Sequence, residues 1–95
     1  MSQQDSYAHV RISFYEARFQ AKTIPQLVVD FNKLSTSRGW TAERSYNTIA
    51  LINELQRRGV NLSAISEYSP NGSIKSIRHC FVQYDEEGHS LIPIR

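Results

Sequence analysis

Three histidines and one cysteine are the side chains in this sequence best suited to metal binding or nucleophilic chemistry. His9, His79 and His89 are widely separated, and no pair has the spacing of known zinc ligands. Adjacent His79 and Cys80 would point to opposite faces of a strand. We therefore expect structural or solvent-exposed histidines, a buried and unreactive Cys80, and neither a metal nor another cofactor.

The carboxylates do not form a pattern typical of acid–base catalysis. Asp85, Glu86 and Glu87 are contiguous but fall in a predicted turn, where such runs are usually solvated. The four glycines occur singly, so there is no glycine-rich phosphate loop, and no serine-centred nucleophile motif is present. No residue is predicted to be catalytic, and an enzyme is the less favoured class.

Composition indicates one small globular domain. The chain has 95 residues, a net charge of +2 and a pI near 8.9, which is less basic than a dedicated nucleic-acid binder. We expect residues 1–6 to be a flexible tail and residues 7–95 to form a single α+β domain. The single cysteine, the lack of a secretion signal and the lack of an apolar run long enough to cross a membrane predict a cytoplasmic location.

A helical hairpin from Thr23 to Gly59 is the clearest structural prediction. Thr23 and Gln26 form a capping box, after which apolar residues recur every three or four positions. Gly39 is suited to end this helix. Thr41 is suited to cap a second helix, which ends at Gly59.

The segment His9–Phe19 is open to two interpretations. Val10, Ile12 and Phe14 alternate with polar residues, which favours a strand. A helix is the alternative, because the second half contains good helix formers and a helical stripe is also present. That stripe comprises Val10, Phe14, Ala17 and Ala21. We favour the strand.

The last third of the chain predicts antiparallel strands. Asn71-Gly72 is a strong hairpin turn and Asp85–Gly88 is a second turn. A bulge is expected near Ser76. The predicted strands are Ile65–Ser69, Ile74–Tyr84 and Leu91–Ile94, and Pro93 places the last one at an edge. The predicted order is therefore β-α-α-β-β-β, an α+β fold in which the helical hairpin packs on one face of a three- or four-stranded antiparallel sheet.

The predicted core takes its residues from all of these elements. It comprises Val10, Ile12, Phe14, Leu27, Val28, Phe31, Leu34, Ile49, Ile52, Leu55, Ile77 and Phe81.

Two helices joined by a tight turn and followed by a β-hairpin resemble a helix-turn-helix with a wing. Cations near the turn, at the end of the second helix and after the wing tip would contact phosphates. Glu43 and Glu54 on the same helix would oppose such binding. The predicted nucleic-acid-binding residues are Arg38, Arg44, Arg57, Arg58, Lys75 and Arg78.

The predicted element order also resembles, as architecture only, the small RelE/ParE-type toxins. That resemblance implies an RNA-cleaving protein that would use Arg78, His79, Tyr84 and Arg95. The charge of the chain is low for a nuclease directed at the ribosome, and no sequence motif supports the likeness.

A protein-binding module is the third interpretation. An edge strand can accept another strand, and the aromatic residues cannot all be buried in so small a core. The predicted partner-binding residues are Trp40 and Tyr68, although Trp40 is also suited to pack on the first turn of the second helix. The sequence leaves open whether the protein forms a homodimer. The sequence favours a small non-catalytic accessory protein that binds DNA or RNA, with a protein partner as the alternative and a toxin nuclease as the outside alternative.

Overall fold

A computed structural model describes residues 3–36 and 41–94, with side chains described from Tyr7 onward. Three helices come first, then a short 3₁₀ helix at Ser63–Ile65 and four strands. The helices are α1 (Gln3–Gln20), α2 (Ile24–Thr36) and α3 (Ala42–Arg57). The strands are β1 (Ser66–Tyr68), β2 (Ile74–Ile77), β3 (Val82–Asp85) and β4 (Ser90–Pro93). The α+β class is confirmed, with the helices preceding the strands.

The strand predicted over His9–Phe19 is wrong, because these residues belong to α1. A second set of apolar residues, which recurs at helical intervals of four, three and four, outweighs the alternation of Val10, Ile12 and Phe14. As a helix, α1 brings this second set onto α3, and it contains no glycine or proline to interrupt it. The inner set is Ala8, Ile12, Tyr15 and Phe19, of which Phe19 is buried.

The predicted helix caps are confirmed. The Gln26 side chain accepts a hydrogen bond from the Thr23 backbone N–H at 2.8 Å, and the Thr23 hydroxyl accepts one from the Gln26 N–H at 3.4 Å. The Thr41 hydroxyl accepts a bond from the Arg44 N–H at 3.1 Å, which caps α3. Gly59 has φ of 78° after the end of α3, a left-handed conformation that favours glycine. The helix end predicted at Gly39 lies outside the described residues.

The single predicted sheet is replaced by two separate two-stranded antiparallel sheets, β1–β2 and β3–β4. The Asn71-Gly72 turn joins β1 to β2, and an irregular register leaves Lys75 without a directly paired residue, beside the predicted bulge at Ser76. The long strand predicted from Ile74 to Tyr84 is interrupted between β2 and β3. Within this break the Cys80 carbonyl accepts a hydrogen bond from the Ser35 hydroxyl of α2 at 3.0 Å. The backbone there bonds to a helix instead of continuing a strand ladder.

The core lies between α1, α2, α3 and the second sheet. Of the predicted core residues, Leu27, Phe31, Ile52 and Leu55 are buried, and Ile12, Val28, Leu34 and Ile77 pack half-buried against them. The prediction is wrong for Val10, Phe14, Ile49 and Phe81, whose exposure is between 44% and 63%. Two of these lie on the outer face of α1 and one on the outer face of α3. Buried residues that the prediction missed are Phe19, Ala50, Leu51, Val60, Leu62, Ile65, Val82 and Leu91.

None of the three described helices combines the length and the apolar character needed to cross a membrane.

Candidate functional site

Two of the predicted nucleic-acid-binding arginines are held by a buried carboxylate. The Glu54 side chain is 2% exposed and accepts hydrogen bonds from Arg57 at 2.5 Å and from Arg58 at 2.6 Å. Burial alone would raise the pKa of Glu54, but the bonds from Arg57 and Arg58 outweigh it and lower this pKa below its usual value. Arg58 also donates to the carbonyls of Phe19 and Gln20 at the end of α1. This cluster joins α1 to α3.

Arg44 has a similar structural role at the end of α2. Its guanidinium donates to the Leu34 carbonyl at 3.0 Å, one of the carbonyls that a helix leaves without an internal partner. Partial burial lowers the pKa of His79, and the positive charge of Arg44 lowers it further. His79 is therefore a neutral imidazole at pH 7.

Lys75 and Arg78, the other two described cations of the predicted surface, have exposed side chains on and just after β2. Tyr68 is 48% exposed on β1. Arg38 and Trp40 lie outside the described residues, so their predicted contacts stay predictions.

Of the residues implied by the resemblance to RelE/ParE-type toxins, Arg78 and His79 follow β2 and Tyr84 lies on β3, where it bonds to His89. Arg95 lies outside the described residues. The Nε2 atom of His89 lies 2.9 Å from the Arg58 carbonyl, which can only accept, so Nε2 carries the proton. The Nδ1 atom then accepts from the Tyr84 hydroxyl. This chain of bonds attaches the β3–β4 hairpin to the end of α3, and the strand that the resemblance required at the N-terminus is a helix.

A groove of about 620 Å³ lies between α3 and β2. Its α3 wall follows one helical face, with Ser45, Ile49, Ile52 and Gln56 at spacings of three and four. Ile49 is 44% exposed, although it belongs to an apolar helix stripe. The groove therefore displays aliphatic surface that no described element covers.

The opposite wall of the groove is the edge of β2. All four residues of Ile74–Ile77 line it, although successive side chains of a strand point to opposite faces of a sheet. Because the groove contacts all four residues of β2 in turn, it runs along the edge of this strand. Within the described residues β2 pairs only with β1, so its second edge has no strand partner. Alternate N–H and C=O groups of an antiparallel edge strand point away from its partner.

The groove carries a positive charge from Lys75, and no aspartate or glutamate lines it. Ile74 and Ile77 are half-buried on the strand side and face the aliphatic residues of α3. The groove thus combines an open strand edge, an aliphatic lining and a positive charge.

These features define a small α+β protein with an open strand edge beside a helix groove. Within residues 3–36 and 41–94, no three histidine, cysteine, aspartate or glutamate side chains come together as a metal site would require. No protein-family model matches the chain, and searches of curated proteins and of solved structures gave no significant match.

The sequence signals for this groove were incomplete. The hairpin at Asn71-Gly72 is predicted, but the predicted edge strand is Leu91–Ile94 rather than β2, and Ile49 is predicted to lie in the core. The position of Ile49 in the apolar stripe of α3 does not indicate that β2 leaves this side chain exposed.

Proposed function

We propose that this protein is a non-catalytic binding module that takes an extended segment of another protein into the groove between α3 and β2. The segment adds to the free edge of β2 as a third strand and directs alternate side chains onto Ile49 and Ile52. The single observation that carries this proposal is the unpaired edge of β2 running along an aliphatic groove.

The edges of the second sheet, by contrast with that of β2, have partners from outside the sheet. Asn32 bonds to the backbone of Val82 at the start of β3. On the far side of β4, the Leu91 N–H donates to the Asn61 carbonyl at 3.0 Å, and the Asn61 N–H donates to the His89 carbonyl at 2.8 Å. Each edge of the second sheet thus has backbone contacts with a segment outside the sheet, a common feature of edges that are protected from association. No comparable covering of β2 exists among the described residues.

The positive charge of Lys75 indicates the chemistry of the segment. Lys75 favours a segment with a carboxylate, because opposite charges attract in a closed groove. The aliphatic lining favours branched apolar residues at every second position, where a strand directs them to one face. An acidic segment that alternates with isoleucine or valine meets both requirements.

A blocked synthetic hexapeptide that alternates isoleucine with aspartate tests the proposal. Titrated into isotopically labelled protein, it should shift the amide resonances of Ile74–Ile77 and of Ile49. Ile49→Asp should weaken binding at least tenfold, because it places a carboxylate in the apolar groove. Val29→Asp is the matched control, since Val29 is a 52% exposed aliphatic residue on α2 that does not line the groove.

N-methylated versions of the same peptide separate strand addition from simple apolar contact. Methylating alternate backbone nitrogens in one register removes the hydrogen bonds to β2 and should abolish binding, whereas methylation in the other register should not. The proposal is wrong if both versions bind as the parent peptide does, or if Ile49→Asp and Val29→Asp have equal effects.

A further inference from the structure

Asn71 lies in the turn between β1 and β2, at the groove that the proposed function uses. It is the one asparagine of the sequence that glycine follows. The next two residues, Gly72 and Ser73, line the groove. A chemical change at Asn71 therefore acts directly on this site.

An asparagine side chain can react with the backbone nitrogen of the residue that follows it. The lone pair of this nitrogen forms a bond to Cγ and closes a cyclic imide. The bond from Cγ to Nδ2 breaks, and Nδ2 leaves as ammonia with the proton of the attacking N–H. Water then opens the imide at one of its two carbonyls and gives aspartate or isoaspartate. Water is the only other reactant, which is why asparagine is a thermally labile residue.

The Gly72 nitrogen is accessible for this attack. Asn71 and Gly72 are both exposed, and a Cβ atom at position 72 would meet nothing within 4 Å. The Gly72 N–H donates to the Ser69 carbonyl at 2.9 Å. Ring closure removes this proton, so it also breaks a hydrogen bond that closes the turn.

Two donors contact the oxygen on which negative charge develops during ring closure. The Oδ1 atom of Asn71 accepts from the Ser73 backbone N–H at 3.1 Å and from the Ser73 hydroxyl at 2.7 Å. A backbone N–H can only donate, so the amide atom that faces it is the oxygen. When the Gly72 nitrogen attacks Cγ, this oxygen becomes an oxyanion. Donors already in place at such an oxygen stabilise the transition state.

Asn61 provides a comparison within the same chain. Its Oδ1 atom also accepts a hydrogen bond from the N–H two residues later, that of Ser63, at 2.9 Å. The residue that follows it is Leu62, which is only 2% exposed, so the nitrogen that would attack is closed to solvent. The N–H and C=O of Asn61 also bond to the β3–β4 hairpin. Asn61 therefore has a similar turn but an inaccessible nucleophile.

Conversion of Asn71 changes both the charge and the shape of the groove. Among the residues that line the groove, Lys75 is the one that is charged at neutral pH. A carboxylate at position 71 adds an opposite charge beside Gly72 and Ser73, and it repels a segment that carries carboxylates. The isoaspartate product also lengthens the backbone of the turn by a methylene group. Because a hairpin turn fixes strand register, this change displaces β2 relative to β1.

From these observations we propose that Asn71 is a site of spontaneous deamidation, and that its conversion to aspartate and isoaspartate weakens binding of an acidic segment in the groove. The reaction at Asn71 is independent of the proposed function, whereas its effect on binding rests on that function. The turn combines an accessible nitrogen, two donors on the reacting carbonyl and direct contact with the groove.

Mass spectrometry of the whole folded protein tests the reaction. The protein is kept in warm, mildly alkaline buffer, then digested with trypsin and compared with a sample digested at the start. Cleavage after Arg58 and Lys75 leaves Asn61 and Asn71 on one peptide, so fragmentation compares them directly. Conversion at Asn71 should be about tenfold faster than at Asn61 or more, because only Asn71 has an accessible neighbouring nitrogen.

Ser73→Ala tests whether the structure contributes beyond the Asn71-Gly72 sequence. It removes the hydroxyl from Oδ1 but leaves both reacting residues and the backbone donor in place. Conversion should slow about tenfold, since the oxyanion loses one of its donors. Ser63→Ala is the matched control, because Ser63 lies in the turn of Asn61, and it should leave the rate at Asn71 unchanged. Equal rates in the two variants would refute the role of the hydroxyl.

The isoleucine–aspartate hexapeptide tests the effect on the groove. Asn71→Asp should bind it about fivefold more weakly than the freshly prepared unaltered protein does, because like charges repel. Asn71→Ser is the matched neutral variant, since serine is also suited to the turn, and it should bind as the unaltered protein does. A hexapeptide with asparagine in place of aspartate should bind equally to both variants.

The outcomes separate this inference from the proposed function. Equal conversion at Asn61 and Asn71, or conversion at neither, overturns the inference and leaves the proposed function intact. Equal binding of the aspartate hexapeptide by Asn71→Asp and Asn71→Ser overturns the effect on the groove. If the freshly prepared protein does not bind that hexapeptide, the proposed function and the effect on binding are both wrong, and mass spectrometry alone decides the reaction at Asn71.

Discussion

The side-chain amide of Asn32 forms two hydrogen bonds with the backbone of Val82. Its Nδ2 atom donates to the Val82 carbonyl at 3.0 Å, and its Oδ1 atom accepts from the Val82 N–H at 2.8 Å. Val82 is 1% exposed, so neither backbone group can turn to water instead. One side chain of α2 therefore does at the start of β3 what a neighbouring strand would do, and it joins segments 50 residues apart in sequence.

Asn32→Ala should lower the free energy of unfolding by about 2 kcal/mol, since it leaves a buried donor and a buried acceptor without partners. Urea denaturation measures the change. Asn53→Ala is the control, because Asn53 makes its described hydrogen bond at an exposed site, and we expect less than about 0.5 kcal/mol there. Equal losses in the two variants would show that the Asn32 bonds do not stabilise the fold.

Glu54→Ala should be among the most destabilising single changes, with a loss of about 3 kcal/mol. The substitution leaves Arg58, which is 19% exposed, without its anionic partner. It also loosens the contact of Arg58 with the end of α1. Glu67→Ala on exposed β1 removes the same type of side chain and should change stability little. A mild effect of Glu54→Ala in chemical denaturation would contradict this account of the cluster.

The same carboxylate predicts a loss of stability in acid. The pKa of Glu54 in the folded protein is lowered from 4.5, so the unfolded state takes up this proton more readily. The contribution is therefore fully present above pH 4.5 and is lost as the pH falls through the folded pKa. In denaturation at a series of pH values, the stability difference between the unaltered protein and Glu54→Gln should shrink below pH 4.5. A difference that stays constant down to pH 2 would refute this.

The predicted nucleic-acid surface is best tested with Lys75→Ala and Arg78→Ala. Changing Arg44, Arg57 or Arg58 would confuse loss of binding with loss of the bonds that join the helices. If both exposed cations contact phosphates, the double variant should reduce the slope of log affinity against log salt by about 2. Fluorescence anisotropy with labelled duplex DNA and single-stranded RNA provides the measurement. Binding that neither salt nor the double variant alters would reject this surface.

Local signals in the sequence were reliable where one residue acts on its own neighbours. The capping box at Thr23, the cap at Thr41, the left-handed Gly59 and the Asn71-Gly72 turn all occur as predicted. Each depends on hydrogen bonds or backbone angles within a few residues. No distant part of the fold is needed to decide them.

The candidate site was less predictable. The sequence predicts an edge at Leu91–Ile94 and not at β2. It also places Ile49 and Phe14 in the core, because apolar periodicity does not distinguish a covered face from an open one. The sequence shows Arg57 and Arg58 as two adjacent cations at a helix end, and only the structure shows that both pair with the buried Glu54.

The sequence by itself determined where α2 begins, where α3 begins and ends, where the chain turns at Asn71-Gly72 and that the protein is α+β, because those outcomes follow from short-range bonding and backbone preference. Only the tertiary structure decided that His9–Phe19 is helical, that the strands form two sheets and that β2 keeps an open edge. The physical reason is that each of these depends on which distant partner satisfies an apolar face or a backbone group. Phe19 needs the core beside α3, and Val82 needs Asn32.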